Sequence, residues 1–178
     1  ACEQALLLCR AGLADGEVLR SLVRRAESFP ATIQKSDSPG KYFEPGLGMA
    51  RWHFTQREFR KALEELDHGT TLGTGSPAGL ALRGRLLAEL QMVDAFADWY
   101  GDCDDSAKSF ADFWAALGIR FLQDRQYAAA TKALLEAVAR DPTDDYSTHR
   151  LATAFDALGR QDDAEQFRAR GVRLVMMD

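Results

Sequence analysis

A chain of 178 residues with 46% hydrophobic and 28% charged side chains has the make-up of a soluble globular domain or a short repeat array, long enough to bury a core. Its net charge of −5 and pI near 5.3 argue against a nucleic-acid binder, which carries a basic face. No apolar run approaches the roughly 18 residues of a membrane span, and the short stretch from Leu6 to Cys9 lacks the basic lead of a signal peptide.

The first 30 residues read as a degenerate helical hairpin. Leu6, Leu7, Cys9 and Leu13 form one stripe, Asp15-Gly16 a turn, and Val18, Leu19, Leu22, Val23 and Ala26 a second stripe that stops at Phe29-Pro30. Residues 31–42 are polar around Ser38-Pro39-Gly40 and read as a loop or hinge. From residue 43 a 34-residue register divides the rest into four units: 43–76, 77–110, 111–144 and 145–178.

In the first unit Pro45 suits an opening helical turn, and Met49, Ala50, Phe59, Ala62 and Leu66 supply apolar positions. In the second, Ser76 is placed to cap a helix begun by Pro77, followed by Gly84, Leu87 and Leu90. That unit departs from the others at Phe96, where a small residue is expected, and adds Trp99 and Tyr100, so its second helix is expected to pack at an altered angle. The third is the most regular. Trp114, Leu117, Gly118 and Phe121 mark its first helix; Tyr127, Ala130, Leu134 and Ala137 mark its second; Pro142 ends it. In the fourth, Leu151, Ala152, Phe155, Leu158, Gly159 and Ala164 hold their places, but Arg168, Gly171 and Met176 do not. With no opening Met and helical patterns at both ends, the chain is expected to be a piece of a longer protein, with a cytoplasmic setting favoured.

Each feature that suggests chemistry has a plainer reading. Gly69 to Gly79 contains a Gly-x-Gly-x-x-Ala run, but a helix precedes it where a dinucleotide site needs a strand, so it reads as a flexible link. Asp102-Cys103-Asp104-Asp105 lacks the spacing of a calcium loop, and Asp104 or Asp105 capping a helix near Ser106 accounts for it. His53, His68 and His149 lie in separate units without a zinc pair. Ser106, Ser109 and Ser147 sit at helix starts, where serine caps. Trp52, Trp99 and Trp114 read as packing between helices rather than a ligand cage. Cys2, Cys9 and Cys103 have no metal or haem spacing and read as small apolar residues in a reducing compartment. Neither an enzyme, a cofactor nor a metal is expected.

Over 111–144 above all, these residues resemble the tetratricopeptide repeat (TPR) family. The resemblance implies an all-α fold, a right-handed superhelix of antiparallel helix pairs whose first helices line a concave groove. Carried over position by position, the groove would display Leu47, Arg51 and Phe54, then Ala81 and Arg85, then Ala115, Ile119 and Leu122, then Tyr146, His149 and Thr153. Arg51 and Arg85 would stand at the same place in adjacent repeats over an apolar floor, suiting a peptide with an acidic group beside an aliphatic side chain. The plainer reading is that both arginines are solvated or paired with Glu89 or Asp112. The family's clamp for a terminal carboxylate, built from Asn and Lys, is missing, since the chain contains no Asn. The implied function is a non-catalytic scaffold that binds a protein or peptide, with neither a nucleic acid nor a membrane as partner. The alternative is a spacer or self-association module of a larger protein, dimerising through the uncapped edge of the last helix. A regulatory domain attached to an enzyme such as a glycosyl- or sulfotransferase rests on analogy alone.

Overall fold

Residues 45–69 and 76–175 are described by the computed structural model, and every regular element among them is helical. The helices are α1 (Pro45–Thr55), α2 (Phe59–Gly69), α3 (Pro77–Glu89), α4 (Val93–Asp102), α5 (Ala111–Gln123), α6 (Tyr127–Arg140), α7 (Asp145–Ala157) and α8 (Gln161–Val175). A single 3-10 turn, Ala107–Ser109, lies between α4 and α5. None of these helices is long and apolar enough to cross a membrane. The expected hairpin over 1–30, the loop over 31–42, the core of the Gly-rich link and the last three residues lie outside the described residues. Packing divides the chain into two compact units, Ala1–Gly79 and Leu80–Asp178.

The 34-residue register is written into the backbone. The second helix of each pair starts at Phe59, Val93, Tyr127 and Gln161, each 34 residues from the last. The turns repeat with the same spacing. Arg57, Gln91, Arg125 and Gly159 all have left-handed φ, at 60°, 55°, 58° and 74°. At each, the amide of the left-handed residue bonds back three residues and the next amide bonds back five, as in Arg125 to Leu122 and Gln126 to Phe121. This doubly bonded ending, the Schellman motif, satisfies carbonyls that a helix C-terminus otherwise leaves open. Only the fourth turn uses glycine, the residue for which the conformation is unstrained.

Start signals follow the sequence. Ser76 Oγ accepts the Gly79 amide at 3.1 Å, capping α3 as expected. Asp104 does not begin a long helix. Its Oδ1 accepts the Ser106 amide at 2.8 Å in a local turn, and extended backbone at Phe110 delays α5 until Ala111. Cys103 is a free, half-buried thiol whose pKa burial pushes up. No set of three or more His, Cys, Asp or Glu side chains among the described residues is placed to hold a metal ion.

Within the Leu80–Asp178 unit, the helix pairs touch through small residues. An added Cβ at Gly84 would lie 2.1 Å from the Trp99 ring, and one at Gly118 would lie 2.5 Å from Leu134 Cγ. Trp99 is the second repeat's own solution: its indole N–H donates to Leu80 O at 2.9 Å while Phe96 and Phe113 flank its ring. Further on, Ala130, Leu134, Val138, Leu151, Ala154, Phe155 and Ala164 form a buried cluster, with Phe121, Leu122 and Phe167 packed on its edge. Trp114 is half-buried beneath the Arg140 guanidinium, 5.0 Å from its ring centre. In the Ala1–Gly79 unit, α1 and α2 bury Met49, Ala50, Ala62, Leu63 and Leu66. His53 is buried with them, its Nδ1–H donating to Glu58 Oε2 at 2.7 Å. The Lys61 and His53 hydrogen bonds hold the Glu58 carboxyl below its usual pKa.

Candidate functional site

The first helices of the last three repeats, α3, α5 and α7, are joined by a polar network centred on Arg85. Leucines and alanines of α3 bury its inner side, and the guanidinium, at the same depth, is 4% exposed. A charge this deep demands partners. Arg85 Nη1 donates to Asp112 Oδ1 at 3.0 Å, in the first turn of α5. Its Nη2 donates to Asp144 Oδ1 at 3.0 Å, with Nη1 2.8 Å from Oδ2. Asp144 is the N-cap of α7: its Oδ1 accepts the Ser147 amide at 3.1 Å and its Oδ2 the Ser147 hydroxyl at 2.6 Å.

The electrostatics match the geometry. Burial works against the charge on Arg85, but Asp144 and Asp112 outweigh it and hold the guanidinium pKa above its ordinary value. Burial likewise pushes the Asp144 carboxyl up, and the Arg85 charge, with hydrogen bonds from Arg85 and Ser147, brings it below the usual carboxylate range. Arg85 and Asp144 are therefore both ionised at neutral pH.

Two further bonds lie at the C-terminal end of α3. Gln123 Nε2 donates to Ala88 O at 2.7 Å, reaching a carbonyl in the last turn of the helix. Arg150 Nη2 donates to Glu89 Oε2, again joining α7 to α3 across two repeats. The face that the family resemblance makes a groove is crossed here by the protein's own side chains.

This placement changes the expected set. Ala81, Ala115 and Ile119 are buried in the core instead of forming an open floor. Arg85 is buried and paired, so it is not offered to a ligand as the sequence reading expects. Of its two expected carboxylate partners, Asp112 is one, while Glu89 takes Arg150. Leu122 is half-buried at the edge of the α6–α7 core. The half-buried Leu47, Arg51 and Phe54 lie on one face of α1, in the other unit, with Phe54 5.5 Å from Phe59. Tyr146 is half-buried on α7, where His149 and Thr153 are exposed. Asp144 and Arg150 are absent from the sequence-based set. A capping signal was available for the first, as Asp144 stands three residues before Ser147, but its pairing with an arginine 59 residues away was not.

No protein-family model matches the chain, and no curated relative does. Solved structures do. MamA 41-end from Desulfovibrio magneticus RS-1 is 16% identical with a TM-score of 0.52, covering 98% of this chain and 92% of that one. MamA AMB-1 is 11% identical with a TM-score of 0.51, covering 99% and 98%. A further crystal structure of MamA gives 14%, a TM-score of 0.50, and coverage of 89% and 87%. At such identities the likeness concerns the fold. With the 34-residue helix pairs it establishes an all-α, TPR-like helical-repeat fold.

Proposed function

We propose that the protein is a non-catalytic interaction scaffold that holds a peptide or protein segment against the faces of its first helices. The observation that carries this reading is the Arg85–Asp112–Asp144 network. Its charges are spent on holding α3, α5 and α7 in place, which makes a stiff frame and leaves recognition to more accessible positions, on α7 in this unit and on α1 in the other. On α1 these are Leu47, Arg51 and Phe54, spaced for one helical face. On α7 they are Tyr146 and His149. An acidic group beside an aliphatic side chain suits the α1 face, where the positively charged Arg51 lies between two apolar residues.

The test is a peptide array of acidic and aliphatic sequences probed with the wild type, Arg51→Glu and Phe54→Ala. Capture of acidic peptides by the wild type, reduced about tenfold or more in each variant at unchanged melting temperature, supports the reading. Equal capture by all three sinks it. The alternative is a self-association module working through the last helix. Among the described residues, the exposed side of α8 carries Asp162, Glu165, Gln166, Arg168 and Arg173, with Val172 the large apolar side chain among them. A concentration-dependent dimer abolished by Val172→Glu favours that alternative.

A further inference from the structure

Helix α4 presents an outer face unlike those of the other second helices. Phe96 and Trp99 point into the core, and the helical period then places Val93, Ala97 and Tyr100 in one exposed row. Val93 is 50% exposed, Tyr100 is 54% exposed, and Met92 just before the helix is 43% exposed. Beside this apolar row, on the side away from the core, run Asp94, Asp98 and Asp102 at every fourth position, all exposed. The helix has no Lys, Arg or His, whereas α2, α6 and α8 each carry both signs of charge. In the loop that follows, Lys108 pairs with Asp105 and so adds no free positive charge.

Tyr100 is also held in place. Its ring stacks on the buried Phe113 at 6.5 Å and 24°, and lies 6.3 Å from Trp99. An aromatic side chain that is half in water yet seated on a rigid core is a pre-organised anchor, since little rotamer freedom remains to be lost on binding. An exposed apolar patch rimmed by polar residues is the usual mark of an interaction surface.

We infer that the outer face of α4 is a docking surface for a basic amphipathic helix of a partner protein. The apolar row of that helix would cover Val93, Ala97 and Tyr100, and its Lys or Arg side chains, spaced one turn apart, would meet Asp94, Asp98 and Asp102. Charge complementarity selects this occupant: an acidic helix is repelled, and an anionic membrane or nucleic acid likewise. The inference does not depend on the α1 and α7 faces proposed above.

A fluorescent peptide of about 14 residues, four helical turns of Leu and Lys with all Leu on one face, is the probe. Anisotropy titrations would use the whole chain, with a scrambled peptide of the same composition beside it. The expected result is saturable binding of the amphipathic peptide that weakens with added salt. Binding should fall about tenfold or more in Asp94→Lys/Asp98→Lys and in Val93→Ser, and remain unchanged in Glu165→Lys on α8. Val93 is used beside Tyr100→Ala because loss of the Phe113 stack could loosen the fold. Equal binding of the scrambled peptide, or equal binding by the α4 variants, overturns the proposal. So does a wild-type dimer dissociated by Val93→Ser, which would make a second copy of this chain the occupant.

Discussion

At the scale of single residues, Arg85 illustrates why a buried charge is tolerated only in company. One guanidinium meets two carboxylates, and one of these is also satisfied by a helix N-terminus. Removing one member of such a set is costlier than the interaction itself is worth, because the others remain desolvated with the opposing charge gone. Arg85→Ala should therefore lose about 3–5 kcal/mol in urea denaturation, while Arg120→Ala, which breaks the half-exposed pair with Asp124 one turn on, should lose less than about 1 kcal/mol. The pH dependence follows with a definite sign. The Asp144 pKa in the folded state is lowered, so its contribution is fully present above the unfolded value of about 3.9 and is lost as pH falls through the folded one. Stability should decline below about pH 4. Asp144→Asn, which retains a capping oxygen but cannot ionise, should be weaker at neutral pH and show a shallower acid decline. An unchanged acid limb in that variant would assign acid lability to other carboxylates.

At the scale of elements, the four left-handed turns are one structural device made from different residues. A non-glycine residue in this conformation costs about 1–2 kcal/mol through its Cβ, partly offset because glycine loses more freedom on folding. Arg125→Gly is thus expected to raise stability by a few tenths to about 1 kcal/mol. Gly159→Ala should lower it by about 1 kcal/mol, and since an added Cβ there meets nothing within 4 Å, that cost is purely conformational. Thermal melts of the two variants should shift in opposite directions. The same turns show what is legible in sequence. Pro77, Ser76, Gly159 and Pro142 announce helix ends by their own chemistry, and the third repeat's small and large residues announce the helix pair. At Arg57, Gln91 and Arg125 no residue announces the turn, which is visible only through the 34-residue register. The inner face was less legible still. Position rules assign Ala115, Ile119 and Arg85 to a groove because they treat each side chain by its place on its own helix. Whether that face is open depends on what reaches across it, and Asp144 and Arg150 reach from the N-cap and first turns of α7.

At the scale of the whole molecule, those long reaches set how the Leu80–Asp178 unit should unfold. In an ordinary repeat array each unit touches only its neighbours, so loss of the last repeat weakens the one before it and little else. Here α3 is bonded directly to the N-cap and the first turns of α7 through Arg85–Asp144 and Glu89–Arg150, past the intervening repeat. The consequence is cooperativity beyond nearest neighbours. A chain ending at Thr143 lacks both Asp144 and Arg150 and leaves Arg85 and Glu89 short of partners at the far end of the unit. Amide exchange in α3 should then accelerate about a hundredfold or more, together with that in α6, which loses its packing against α7. The 178-residue Asp144→Ala/Arg150→Ala variant separates the two causes, because α7 and its apolar contacts remain. It should release the α3 amides while those of α6 stay protected. If the α3 amides keep wild-type protection in both proteins, the bridges do not couple distant repeats, and the unit unfolds as a nearest-neighbour array.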